Sequence, residues 1–152
     1  MLAMTRVAQA MTVSGFRYWS VLVLANNGST AYINCSEVEL RASIGGPDLT
    51  TPATPVAVSS GAVYPSSNIV DNNIGTFFIT GVNQVVNQRF TFDMGAAVSV
   101  KELGWQIRQN SSADQAPKNF NVQASNDNSS WVTVASFTDA TGWGNPMRFF
   151  SW

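Results

Sequence analysis

The chain has 152 residues, room for one domain with a full hydrophobic core and too few for two ordinary ones. Charged residues make up only 11%, the net charge is -1, and Ser, Thr and Asn fill 43 positions, so uncharged groups carry the solubility and nucleic acid is not an expected partner. His is absent and Cys35 stands alone, which excludes an intrachain disulfide and removes Ser-His, Cys-His and zinc-hydrolase chemistry within one chain.

In chain order, residues 2 to 12 place Met4, Ala8 and Met11 at helical spacing, either an amphipathic turn or two or a frayed terminus. So short a stripe hardly holds a helix alone, and Leu2, Met4, Val7 and Met11 are therefore the expected assembly contacts of an N-terminal arm, residues 1–15. The start lacks a basic leader before a compact apolar block, so no signal peptide is expected. No run reaches the roughly 18 to 20 apolar residues of a membrane span, and no membrane insertion is expected.

From Phe16 the pattern changes to strands. Tyr18 to Leu24 is β-branched and aromatic and runs into the turn Asn26-Asn27-Gly28. Tyr32-Ile33 through Arg41 sets Val38 and Leu40 against Glu37, Glu39 and Arg41, the alternation of a half-buried strand. Residues 42–55, with Pro47, Pro52 and Pro55, read as an extended segment, either an interdomain linker or a long connection within a domain. Val56 to Val63 suggests a short strand, and residues 64–75 are polar and rich in turn formers.

Arg89 to Met94 alternates and meets a Gly95 stop, and Val98 to Ile107 reads as the next strand. Phe120, Val122 and Ala124 alternate into the turn at residues 125–130, Trp131 to Ala135 resumes the sheet, and Met147 to Trp152 is a final strand. About eight short strands with frequent turn signals predict an all-β sandwich over residues 16–152 as one domain.

Three segments carry a family resemblance. Asn68-Ile69-Val70-Asp71-Asn72-Asn73-Ile74-Gly75-Thr76-Phe77-Phe78 resembles the pattern Asn-Ala-x-Asp-Gly-x-x-x-Thr-x-Trp. Phe90-Thr91-Phe92-Asp93-Met94-Gly95 is similar to a hydrophobic-Asp-Leu-Gly strand. Residues 117–127 with Trp131 are similar to the hairpin Pro-x-x-Phe-x-Val-x-x-Ser-x-Asp-Gly-x-x-Trp. Together they resemble the discoidin family, the galactose-binding-like jelly roll also known as the coagulation factor C-type domain and found in carbohydrate-binding modules.

Asn72 and Asn128 stand where the family has Gly, which Asn allows by tolerating left-handed backbone, and Phe78 replaces the Trp. Residues 17–23 and 36–41 look like the family's closing strands but come first here. The order implies circular permutation, or else a piece of a tandem array; a half domain would expose strand edges, which favours permutation.

The resemblance implies a structural calcium at Asp71, Asn73 and Thr76, completed by Glu37; sodium, no ion, or an Asx-turn in which Asp71 bonds only its own loop stay open. For glycans, an exposed aromatic with planar hydrogen-bonding groups is wanted, and Tyr64, Arg108 and Trp143 are the expected contacts, with Asn110 and Asn145 near them in sequence. A Gly-Trp-Gly corner packed under a loop is the other reading of Trp143, whereas Trp19, Trp105 and Trp131 lie in alternating strands and are expected in the core. Glu37 and Glu39 on one strand face do not make the opposed acid and base of a glycosidase, and no enzyme is expected.

The expected function is that of a non-enzymatic structural or adhesion protein on a phage virion, a capsid decoration or a tail- or fibre-associated protein that binds surface glycans. Its expected localisation is the virion surface, extracellular after lysis. Its expected partners are other virion proteins or itself, in a homo-oligomer that is trimeric by analogy with fibre and capsid sites. The alternative is the carbohydrate-binding module of a secreted glycan-active protein.

Overall fold

The computed structural model describes residues 15–110 and 113–152. Strand β1, Phe16–Asn26, turns Trp19, Val21 and Val23 inward, where each is at most 1% exposed. The alternation read from the sequence thus buries one face of the strand. Two short strands follow, β2 (Asn34–Cys35) and β3 (Glu37–Arg41), then β4 (Val56–Val58), β5 (Phe78–Ile79) and β6 (Gln88–Val98). Strands β7 (Glu102–Gln106), β8 (Pro117–Ser125), β9 (Val132–Phe137) and β10 (Arg148–Ser151) complete the set.

The larger sheet has the order β4-β6-β1-β8-β9 and the smaller β10-β7-β3, while β2 and β5 form a two-stranded ribbon. All pairings are antiparallel, with Val21 opposite Phe90 on β6 and opposite Val122 on β8. The early segment therefore supplies the central strand of one sheet, and through Leu40 opposite Leu103 an edge of the other. Residues 16–41 close both sheets of one sandwich, with the buried apolar side chains in one cluster between them.

Aromatic rings bridge the layers. Phe90 meets Trp105 at 5.0 Å and Phe120 meets Phe150 at 5.0 Å, both edge to face. The pairing puts the turns at residues 42–55, 99–101 and 126–131 at one end with Gly15 and Trp152. Residues 27–33, 59–77, 80–87 and 138–147, together with residues 107–110 and 113–116, lie at the other.

Several boundaries differ from the sequence reading. Gly95 does not stop β6: at φ 73° it takes the left-handed turn of a bulge, the register slipping between Phe16 and Tyr18, and the strand runs on to Val98. Residues 99–101 break the expected strand from Val98 to Ile107, although Val100 is buried. The Val56 to Val63 strand shortens to β4, and the Tyr32 to Arg41 run divides at Ser36 into β2 and β3. Trp131 is not core: it is half-buried, and the Arg89 guanidinium lies over its ring at 4.5 Å. Leu2, Met4, Val7 and Met11 lie outside the described residues.

Candidate functional site

The β2–β5 ribbon sets the site's frame. Pairing of Cys35 with Phe78 fixes the entry to β5, and Phe77 precedes it with its carbonyl accepting a bond from Asn68 Nδ2 at 3.0 Å. Arg108 follows the buried Ile107 at the exit of β7, and its backbone N–H donates to Asn34 Oδ1 at 3.0 Å. The two positions meet: the Arg108 guanidinium lies over the Phe77 ring at 3.9 Å, and the Tyr64 ring sits 4.5 Å from the same ring. Tyr64 and Arg108 are exposed and Phe77 is half-buried, so two aromatics and a cation form one platform at the loop end.

Trp143 does not join it. It is 8% exposed, its Nε1–H donates to the Ala140 carbonyl at 3.0 Å, and it packs beside Phe150 and Arg148. The packed-corner reading describes its position, and a buried indole with its N–H satisfied offers no platform. Asn110 and Asn145 are joined, the Asn110 N–H donating to Asn145 Oδ1 at 3.3 Å. Sequence reasoning does not reach Phe77, because nothing local marks a ring whose partners come from two distant segments.

The expected cation residues fold into the loop leading to Phe77. Asp71 Oδ1 accepts from the Asn73 N–H at 2.9 Å and Oδ2 from Thr76 Oγ1 at 2.7 Å; Asn73 Oδ1 accepts from the Gly75 N–H at 3.0 Å. Asn72 takes φ 59°, the left-handed conformation for which the family uses Gly. These bonds satisfy the loop internally, as an Asx-turn does.

Glu37 is the exception. It is 3% exposed, and neither carboxyl oxygen has a hydrogen-bond partner among the described residues. Burial, then the neighbouring Asp71 charge, push its pKa up to about 8; the Asn72 and Asn73 peptide N–H groups face it and oppose the rise without closing a bond. An orphaned carboxyl beside a second carboxylate fits a hard cation, which would take oxygens from Glu37 and Asp71 and neutral oxygens of the loop. No group of three or more His, Cys, Asp or Glu able to hold a metal occurs among the described residues, so neutral oxygens would have to complete the shell.

Cys35 offers no chemistry here, since burial pushes its thiol well above the ordinary range. Glu37 and Glu39 lie two residues apart on the one strand β3, not on opposed segments.

No curated protein and no solved structure matches the sequence significantly. The family model for the F5/8 type C domain matches residues 54–148, and such domains are generally non-catalytic binding modules. The match begins after β3, so the strands that complete both sheets precede it. With this match over more than half of its length, the chain belongs to the F5/8 type C, or discoidin, domain family.

Proposed function

We propose that this domain is a non-enzymatic adhesion module that holds neutral glycans on the Tyr64, Phe77 and Arg108 platform. The observation that carries the reading is the convergence of those three side chains at the loop end. An aromatic face takes the C–H side of a sugar ring, and a guanidinium presents planar donors to adjacent hydroxyls. A cation held by Glu37 and Asp71 has a supporting part in this reading, pinning the loop from which Phe77 emerges; calcium is the ion we propose.

The setting we propose is the surface of a tailed-phage virion, as a capsid decoration or tail- or fibre-associated homo-oligomer. An Asn-, Ser- and Thr-rich chain with few charges supports it, because such surfaces make wet, polar contacts without strong fields. A carbohydrate-binding module of a secreted glycan-active protein would use the same platform. Mass spectrometry of purified virions separates the settings.

Binding is tested on a glycan array with the wild type, Tyr64→Ala and Arg108→Ala. At least one glycan class should be retained by the wild type and weakened roughly tenfold or more by each substitution. Equal retention by all three proteins, or none by the wild type, would sink it.

A further inference from the structure

Away from the loop end, the opposite end of the five-stranded sheet carries two adjoining depressions. One, of about 260 Å³, is lined by Tyr18, Ala57, Thr91 and Asn128, with Pro55 and Asp93 at its boundary. The other, of about 300 Å³, is lined by Leu49, Thr51, Thr54 and Met94 and shares Pro55 and Asp93. The shared pair is locked in place, the Asp93 N–H donating to the Pro55 carbonyl at 3.0 Å. Together the depressions reach the roughly 300 to 1,000 Å³ of small-ligand sites.

Asp93 is the polar centre. Its Oδ1 accepts from Arg17 Nε at 2.8 Å and from the Gly95 N–H at 2.9 Å, and its Oδ2 accepts from Arg17 Nη2 at 2.9 Å. A carboxylate has about four acceptor positions, so one remains on Oδ2 for a hydroxyl donor. The Arg17 guanidinium lies over the Tyr18 ring at 5.0 Å and keeps further N–H donors for a hydroxyl acceptor. The hydrogen bonds from Arg17, first among the causes, lower the Asp93 pKa and favour the ionised carboxylate. Its charge is matched by that of Arg17, which leaves the centre able to give and take hydrogen bonds without selecting a charged ligand.

We propose that these two depressions form a groove for a neutral oligosaccharide, one pyranose ring on either side of Asp93. Tyr18 offers a ring to one sugar, Leu49 and Met94 offer apolar surface to the next, and Thr51, Thr54, Thr91 and Asn128 supply hydroxyl and amide groups around them. The inference extends the glycan-binding reading to a second site, at the other end of the sheet from Tyr64 and Arg108.

The test uses the full chain, labelled with ¹⁵N and titrated with lactose, cellobiose and maltose, beside Tyr18→Ala, Ala57→Trp and the double variant Tyr64→Ala/Arg108→Ala. At least one disaccharide should shift the Thr91, Asp93, Gly95 and Asn128 amides saturably. Tyr18→Ala should weaken that response about tenfold, and the double variant should leave it intact. Ala57 is exposed on edge strand β4, so Ala57→Trp fills the first depression with little demand on folding and carries the test if Tyr18→Ala fails to fold. It should abolish the response. Shifts confined to the loop end overturn the groove and leave the first reading standing; shifts confined to the groove do the reverse. Absence of saturable shifts overturns both sites for these sugars, and a response that survives Ala57→Trp overturns the groove alone.

Discussion

Replacing Trp19 with Ala tests whether the segment before the family match is integral to the sandwich. The indole is 1% exposed, lies 5.9 Å from the Phe16 ring and 6.5 Å from Trp152, and directs Nε1–H toward the Phe16 and Val98 carbonyls at 3.1 and 3.3 Å. Removing so large a core side chain costs about 3 to 5 kcal/mol, against a typical domain stability of about 5 to 15 kcal/mol. Trp19→Phe keeps most of the apolar contact but loses the N–H, and should cost about 1 to 2 kcal/mol. Urea unfolding at equilibrium gives both numbers, and an unchanged dependence on denaturant shows that the comparison concerns one cooperative unit. A loss below about 1 kcal/mol for Trp19→Ala, with that dependence unchanged, would refute the placement of β1 at the centre of the core.

Four further outcomes follow from particular residues. A Cβ on Gly15 would stand 2.6 Å from the Val98 carbonyl carbon, so Gly15→Ala should lower stability by about 1 to 3 kcal/mol in the same assay. In excess chelator, Glu37 binds a proton on folding between its ordinary value of 4.5 and about 8, so stability should fall as pH rises through that window; Glu37→Gln should flatten the slope, and calcium should raise the melting temperature of the wild type alone. A wild-type melting curve unmoved by calcium removes the ion from the account. Asp127 accepts from the Ser130 and then the Ser129 N–H groups, which hold it below the ordinary carboxylate range, so its contribution is present above about pH 3.8 and is lost as pH falls through the folded value; Asp127→Ala should remove that part of the acid-side loss in a pH titration of stability. Deleting residues 1–15 should leave the urea transition intact while reducing incorporation into particles, measured by virion mass spectrometry; normal incorporation would end the assembly role of the arm.

What could be read from the sequence was decided by local repetition. Trp19, Val21 and Val23, and again Phe120, Val122 and Ala124, repeat at period two and are buried as that period requires. The family motifs are likewise contiguous stretches of sequence, so the match over residues 54–148 agrees with the resemblance read there. Features made by distant segments were hidden. Alternation places Glu37 with Glu39 and Arg41 on the polar side of β3, yet Glu37 is 3% exposed and sits beside Asp71 of a later loop. Trp143 and Tyr64 look alike as loop aromatics; only packing against Phe150 in one case and against Phe77 and Arg108 in the other separates a buried corner from an exposed platform.

Glycan binding at the loop end through Tyr64, Phe77 and Arg108 can be seen in a crystal structure of the chain with its strongest array glycan. A sugar ring is expected against Tyr64 or Phe77, with a hydroxyl within hydrogen-bond distance of the Arg108 guanidinium. A glycan bound only away from those three side chains would contradict it.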